Sequence, residues 1–328
     1  MIHARNYAAG IPGAKLVALA DPEPPTLARA CAELGVDRGC QDFRAAIADP
    51  KVDAVVIATP TAHHRDIATA AARAGKHIFC EKPMAMAAAE CADMIAAADS
   101  ARVKLQIGFM RRFDCGFVAA KVRVDGGEIG AVVQVKSLTH GPSTPKPWMY
   151  DLRQSNGPLA EVNSHDIDTL RWFTGSEFQR VFALGGNFRC AEARISHPDF
   201  YDNVLLAASF DSGVQGMVGG AQGVKYAYDA RLEILGTEGL ICVGGLQAGK
   251  VVTYSARGGN RPLVKSWTEL FADAYRAEDE AFVKCVLDDA PPAVSGVDGL
   301  RAVEVVNAGN ESIRTGQPVA LPRRGVAA

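Results

Sequence analysis

The sequence has no apolar run long enough to cross a bilayer and almost no net charge. Its 35 Lys and Arg residues nearly balance 37 Asp and Glu residues, which leaves a formal net charge of -2. This balance gives no electrostatic reason to expect nucleic acid or an anionic membrane as a partner. The first residues also lack the charged-then-apolar layout of a secretory signal. We therefore expect a protein with no nucleic-acid and no membrane partner.

The eight cysteines lack the spacing of a metal site or a redox motif. None forms a Cys-x-x-Cys pair, and no Cys/His cluster has the spacing of zinc ligands. Scattered cysteines in a chain of 328 residues favour reduced thiols over structural disulfides. The cysteine pattern thus predicts no metal site and a cytoplasmic location.

The first third of the chain alternates short apolar runs with helical patterns. Apolar strands that alternate with helices are typical of a parallel sheet covered on both faces. This α/β pattern predicts a first domain over residues 1–110. The predicted strands are Lys15–Ala20, Val52–Ala58, Lys76–Cys80 and Val103–Gly108, and the predicted helices are Pro25–Leu34, His64–Ala74 and Ala87–Ala98.

The pattern changes after about residue 110. Short strands follow one another closely and are joined by Gly-containing turns, which favours a mostly antiparallel sheet. A helix is predicted over Ser164–Thr174, with Ile167, Leu170 and Phe173 on one side. We therefore expect residues 111–328 to form an α+β domain with one large sheet. Its strands include Asn203–Phe210, Ala230–Leu235 and Lys250–Tyr254, and its last helices are Phe271–Leu287 and Gly296–Thr315.

Asp21 ends the first predicted strand and opens a turn. In a Rossmann-type domain, an acidic residue roughly 20 positions after a G-x-G-x-x-G loop binds the ribose of the dinucleotide. No such loop and no earlier strand precede Asp21, and Gly10 and Gly13 lie too close to the strand to serve. We expect a Rossmann-type domain that begins inside its first helix. Asp21 then favours NAD over NADP, because its carboxylate would repel a 2′-phosphate; the alternative is a simple turn residue before proline.

Lys82 follows the predicted strand Lys76–Cys80 at its carboxyl end. Ligands of open parallel sheets bind at that edge. Pro83 restricts the backbone of the residue before it, which would fix the direction of the lysine side chain. Spacing alone nevertheless favours a solvated loop lysine.

Several motifs resemble the Gfo/Idh/MocA oxidoreductases. Thr59-Pro60, His64 and the run 74–83 (AGKHIFCEKP) look like the family signature. The run 108–114 (GFMRRFD) is similar to the family segment after the last strand of the nucleotide domain. The resemblance extends to 236–239 (GTEG) and covers nearly the whole chain. It is particularly close to the inositol 2-dehydrogenases and related sugar dehydrogenases.

The resemblance implies a cofactor and a catalytic lysine. In the family the lysine of the E-K-P run is catalytic, and it corresponds to Lys82. NAD is the implied cofactor, with NADP less favoured, and the family's habit implies a homo-oligomer, a dimer or a tetramer. The residues that we expect to contact the cofactor are Asp21, Thr59, Pro60, His64, Glu81 and Lys82.

The second catalytic motif of the family is D-x-x-x-H, and its match here is Glu161 to His165. Residues at i and i+4 share a helix face, so both side chains could point into an interdomain cleft. His165 can exchange a proton near neutral pH, with Lys82 polarising the same oxygen. Glutamate in place of aspartate puts a direct contact by Glu161 in doubt. Candidate substrate residues, for which packing roles are as plausible, are Arg111, Trp148, Tyr150 and Asn163.

These residues together favour an NAD-dependent dehydrogenase that oxidises a secondary alcohol of a cyclic polyol or sugar. An NAD-assisted glycosidase of the same family is one alternative, and it would release sugar without net NADH. A non-catalytic truncated homologue is the other, and it would bind no dinucleotide.

Overall fold

The computed structural model describes residues 1–245, 253–255, 258–260 and 263–322. The chain divides into two compact units. The first unit comprises Met1–Phe113 and Asp273–Leu300. The second unit comprises Asp114–Ala272 and the chain from Arg301 onward.

Helices occur in both units. Within the described ranges, none of them is long and apolar enough to cross a membrane. They are α1 (Ile2–Ala8), α2 (Pro24–Leu34), α3 (Phe43–Ile47), α4 (His64–Arg73), α5 (Ala88–Ala101), α6 (Cys115–Asp125), α7 (Leu152–Ser155), α8 (Gly157–Glu161), α9 (Ser164–Thr174), α10 (Ala193–Ser196), α11 (Trp267–Leu270), α12 (Ala272–Leu287) and α13 (Gly296–Thr315).

The strands of the first unit precede those of the second along the chain. The first unit contains β1 (Leu19–Ala20), β2 (Gly39–Cys40), β3 (Ala54–Ile57), β4 (His77–Glu81) and β5 (Leu105–Gly108). The second unit contains β6 (Val132–Gly141), β7 (Phe178–Gly186), β8 (Asn203–Phe210), β9 (Gln215–Gln222), β10 (Asp229–Gly236), β11 (Leu240–Gly244), β12 (Thr253–Ser255), β13 (Gly258–Asn260) and β14 (Val319–Ala320).

Every ladder of the first unit is parallel, which confirms the predicted sheet type. Strands β3, β4 and β5 lie side by side, whereas β1 and β2 form a separate pair. Of the strand predicted over Lys15–Ala20, only the last two residues form a strand, and they pair with the two residues of β2. The first element of the chain is a helix, as expected.

The second unit is built on a seven-stranded sheet with the order β11-β10-β6-β9-β8-β7-β14. Only the β6–β9 pair is parallel, so the prediction of a mostly antiparallel sheet is confirmed. Strands β12 and β13 pair separately. Of the strand predicted over Lys250–Tyr254, residues 250–252 lie outside the described residues.

The structure divides the chain differently from the expected boundary near residue 110. Residues 273–300 pack with the first unit, although they follow the second in sequence. Backbone and side-chain bonds hold them there: Ile107 N donates to Val294 O at 3.1 Å, and Gln106 Nε2 donates to Glu278 O at 3.1 Å. Helical periodicity predicted α12 well but carries no information about which unit the helix packs against.

Gly236 lies where the end of β10 crosses the backbone of Ile129. A Cβ at this position would lie 2.0 Å from Ile129 O. We expect Gly236→Ala to lower the free energy of unfolding by about 1–3 kcal/mol, because the two backbones would have to move apart. Chemical denaturation followed by circular dichroism measures this. Gly219→Ala is the matched control, since its Cβ would make an ordinary 3.4 Å contact with Leu138 Cβ; equal losses would contradict the steric explanation.

Candidate active site

The predicted cofactor residues of the first unit follow the carboxyl ends of parallel strands. Thr59 and Pro60 follow β3, and Lys82 follows β4. The register pairs Ile57 with Cys80 and Glu81 with Gly108, so the three strands end at nearly the same level. This edge is where open parallel sheets bind their ligands.

Asp21 directly follows β1, the position expected of it. Its backbone N–H donates to Cys40 O at 3.1 Å, which continues the β1–β2 ladder by one bond. Its Oδ1 accepts the Glu23 N–H at 2.8 Å, an arrangement that opens the turn into α2. The turn role and a ligand role are compatible, because Oδ2 takes no part in that bond.

His64 links two of the predicted cofactor segments. The side chain is buried at the start of α4, with Nε2 2.8 Å from Thr59 O and Nδ1 2.9 Å from Pro83 O. Burial lowers the pKa of His64, although the backbone contacts oppose this. The sequence placed His64 at the cofactor site; the structure shows that it joins the turn after β3 to the loop after β4.

Glu81 has a defined partner on each carboxylate oxygen. Oε2 accepts the Lys82 backbone N–H at 3.0 Å, and Oε1 lies 2.8 Å from Nε2 of His3. Burial would raise the pKa of Glu81, but the bond to His3 and the charges of His3 and Lys82 outweigh it and hold this pKa below its usual range. Sequence reasoning missed His3, since no spacing pattern relates two residues 78 positions apart.

Arg111 is fully buried, with 1% of its surface exposed, in the short 3-10 helix Met110–Phe113 after β5. The neighbouring Arg112 donates from Nη2 to Asp298 Oδ1 at 3.0 Å, within the same unit. A substrate contact by Arg111 stays a prediction.

In the second unit, Glu161 and His165 lie on different helices, so the expectation that they share one helix face is wrong. Helix α8 ends at Glu161 and α9 begins at Ser164. The N–H groups of Val162 and Asn163 both donate to Pro158 O, at 2.9 and 3.1 Å, and this turn separates the helices. The prediction of a helix over Ser164–Thr174 is confirmed.

A buried carboxylate fixes the start of α9 to the sheet. Asp166 accepts hydrogen bonds from Ser137 Oγ at 2.5 Å and Thr139 Oγ1 at 2.7 Å, both on β6. It also accepts from Asn163 Nδ2 at 2.8 Å, and the same amide donates to Gly219 O at 3.2 Å. His165, which directly precedes Asp166 in the sequence, is also buried. Asn163 is thus a structural member of this network; a substrate contact by Asn163 stays a prediction.

Trp148 and Tyr150 lie in the 3-10 helix Pro147–Tyr150. The buried Tyr150 ring packs against Phe200 with 4.8 Å between centroids, and its hydroxyl donates to Glu192 Oε1 at 2.5 Å. These contacts give Tyr150 a packing role. Trp148 is half-buried, and its substrate role stays a prediction.

Two family models match the chain. The model described as an oxidoreductase family with an NAD-binding Rossmann fold matches residues 2–109. The model of the GFO/IDH/MocA C-terminal domain matches residues 117–242. Together they cover most of both units.

Known proteins are similar over nearly the full length. The scyllo-inositol 2-dehydrogenase (NAD(+)) of Bacillus subtilis is 34% identical, over 97% of this chain and 92% of that protein. The myo-inositol 2-dehydrogenase of Thermotoga maritima is 34% identical, over 98% of this chain and 95% of that protein. The crystal structure of scyllo-inositol dehydrogenase from Lactobacillus casei with bound NAD(H) and scyllo-inositol has a TM-score of 0.88 at 28% identity, over 97% and 95% of the two chains.

His64→Ala tests the link between the two loops. We expect it to lower the free energy of unfolding by about 2–4 kcal/mol, because it leaves a cavity and removes the contacts of the ring with Thr59 O and Pro83 O. It should also weaken NADH binding, measured by fluorescence titration, since both loops belong to the predicted cofactor edge. The exposed neighbour His63→Ala is the control, and a surface change of this kind should stay within about 0.5 kcal/mol. Equal effects of the two substitutions would refute the linking role.

Proposed function

This chain belongs to the Gfo/Idh/MocA oxidoreductases, and we propose that it is an NAD-dependent dehydrogenase that oxidises a secondary alcohol of an inositol-like cyclic polyol. The observation that carries the proposal is the Glu81–Lys82 pair at the carboxyl end of β4. There the Lys82 backbone is anchored by a carboxylate that is 15% exposed and bonded on both oxygens. Relatives named inositol 2-dehydrogenase, similar along nearly the whole chain, support the substrate class.

The groups at the edge of the first unit suit a nicotinamide dinucleotide. The Asp21 carboxylate at the end of β1 can accept hydrogen bonds from a ribose diol and disfavours a 2′-phosphate. Thr59 and Pro60 form an exposed turn after β3, where a flat ring can approach the backbone. No G-x-G-x-x-G run precedes Asp21 in the sequence, so we assign direct contacts with NAD to Asp21, Thr59, Pro60 and Lys82. His64 and Glu81 hold the two loops that carry these residues.

Bound NAD supplies the hydride acceptor. Lys82 would donate a hydrogen bond to the alcohol oxygen and stabilise the negative charge that develops there as the proton leaves. His165 would accept the hydroxyl proton, a task suited to an imidazole near neutral pH. In this proposal the buried Asp166 network holds the start of α9, and with it the backbone of His165.

Lys82→Met keeps an unbranched side chain one atom shorter but removes its charge and its donors. We expect kcat/KM for myo- or scyllo-inositol to fall on the order of 10³-fold, because the oxyanion loses its stabilisation. NADH absorbance during turnover measures this. Lys76→Met is the matched control at the opposite end of the same strand, where the ammonium donates to Asp49 O.

Three outcomes of this assay would contradict the dehydrogenase proposal. Wild-type protein that binds no NADH would favour a non-catalytic homologue. Release of sugar from a glycoside without net NADH would favour an NAD-assisted glycosidase. Equal rates for Lys82→Met and wild type would remove Lys82 from the chemistry.

We also propose that the chain forms a homo-oligomer through the exposed face of the seven-stranded sheet. We propose further that it resides in a reducing cytoplasm. Leu184 on β7 and Leu205 on β8 are paired in register, and they are 58% and 54% exposed. Paired exposed leucines favour a protein interface. None of the eight cysteines, all of them described residues, forms a disulfide, which supports the reducing compartment.

Leu205→Lys tests the sheet interface. A charge buried between two sheet faces without a partner is unfavourable, so we expect a shift to a smaller assembly in light scattering after gel filtration. Ile195→Lys is the control, since Ile195 is 95% exposed on α10, outside the sheet. An unchanged mass for Leu205→Lys, or a monomeric wild type, would reject this interface.

A further inference from the structure

His3 is buried between two carboxylates within the first unit. Only 4% of its surface is exposed. Its Nδ1 lies 2.8 Å from Asp279 Oδ1, and its Nε2 lies 2.8 Å from Glu81 Oε1. The ring also packs against Phe79 and Tyr275, with centroids 4.9 and 5.5 Å away. A ring with a carboxylate on each nitrogen donates to both only as the imidazolium.

The charge of His3 follows from these contacts. Burial lowers its pKa, but the hydrogen bonds and charges of Asp279 and Glu81 outweigh burial and raise the pKa to about 10. His3 is therefore charged at neutral pH. Asn6 Nδ2 donates to the second oxygen of Asp279 at 2.8 Å, so that carboxylate is bonded at both ends.

Glu278 is the third carboxyl group of the cluster. It is fully buried, and neither of its oxygens has a hydrogen-bond partner among the residues that the structure describes. Burial, and after it the negative charges of Glu81 and Asp279, raise the pKa of Glu278 well above its usual range. Burial thus favours the protonated, neutral form of Glu278, and the imidazolium of His3 offsets one of the two negative charges of the carboxylates bonded to it.

We propose that His3 is a positioning residue for Lys82, acting through Glu81. His3 binds Oε1 of Glu81 and thereby directs Oε2 toward the Lys82 backbone N–H, which it accepts at 3.0 Å. The charge of His3 also keeps Glu81 ionised, and an ionised carboxylate is the stronger acceptor for that N–H. The inference deepens the proposed function and rests on it, because it assigns a purpose to the anchored lysine.

The other groups that face Glu81 add little charge. Burial raises the pKa of the Cys80 thiol and lowers the pKa of His64, so both are neutral near pH 7. The ring of His3 lies between Asp279 and Glu81 and is bonded to both. Gly108, the register partner of Glu81 on β5, presents no charge. The groups that set the ionisation of Glu81 against its burial are therefore His3 and Lys82.

A metal ion is the competing explanation of the same cluster. Ligand atoms of His3, Glu81 and Glu278 lie within 4.8 Å of one another. Both nitrogens of His3 and both oxygens of Glu81 already have partners, however, and a proton on Glu278 accounts for its burial. We expect chelation of divalent cations to leave activity and thermal stability unchanged.

His3→Gln removes the charge but keeps a donor. We expect kcat to fall roughly 10- to 100-fold, because small displacements of a catalytic group are costly. The KM for NAD should change less than kcat does, since Asp21, Thr59 and Pro60 do not contact His3 and keep their places. Without His3, burial dominates and raises the pKa of Glu81. The variant should therefore lose kcat as the pH falls in addition to the loss that protonation of His165 causes in wild type, where Glu81 stays ionised.

Two further variants separate positioning from a general loss of stability. Adding Glu81→Gln to His3→Gln should abolish the new acid limb, because no carboxyl remains to titrate. His77→Gln is the matched control: His77 lies at the other end of β4, and its Nδ1 accepts the Lys104 N–H at 3.0 Å. If His77→Gln reproduces the kcat loss and the pH profile, or if His3→Gln shows neither, the positioning role is wrong.

A readout without turnover keeps this inference distinct from the proposed function. Mass spectrometry can measure the rate at which a lysine reagent labels Lys82 in the folded protein. We expect labelling to rise at least about threefold in His3→Gln and in Asp279→Asn, and not in His77→Gln, because only the first two disturb the anchor of the loop. If labelling rises in these two variants but the wild-type protein has no dehydrogenase activity, only the proposed function is rejected. Unaltered labelling in both variants would reject the positioning role of His3. Loss of activity on chelation would instead show that the cluster binds a cation.

Discussion

The Glu81 carboxylate holds the end of β4 in place, and the candidate site of the first unit depends on it. One oxygen binds His3 of α1 and the other binds the Lys82 backbone. A buried carboxylate is costly unless it is paired and hydrogen-bonded. The chain meets this requirement with groups far apart in sequence, so the first helix, the edge of the parallel sheet and α12 are joined at one point.

The second unit also contains a buried carboxylate, and neutral side chains donate hydrogen bonds to it. Asp166 accepts from two hydroxyls of β6 and from the amide of Asn163. Gly220 makes room for that amide, since a Cβ there would lie 2.0 Å from Asn163 Oδ1. A buried carboxylate with several hydrogen bonds can fix a helix on a sheet. This helix start carries His165, the proposed proton acceptor.

These two carboxylates differ from the surface ion pairs of the chain. Pairs such as Lys284–Asp288 and Arg314–Glu311 join exposed side chains one turn apart on a helix, and solvent screens them. Burial instead makes each hydrogen bond of Glu81 and Asp166 directional and expensive to break. For that reason the candidate site rests on a few buried contacts within each unit.

The sequence by itself determined the sheet types, the helix Ser164–Thr174, the strand Asn203–Phe210 and the position of Lys82 after β4, since periodicity and strand-end chemistry are local. It also determined the family, through the run 74–83. Only the tertiary structure decided that α12 returns to the first unit, that Glu161 and His165 lie on separate helices, and that Glu81 is bonded to His3. These three features depend on contacts between residues far apart in sequence or on the conformation of a single turn. Such contacts and turns leave no periodic pattern in the sequence.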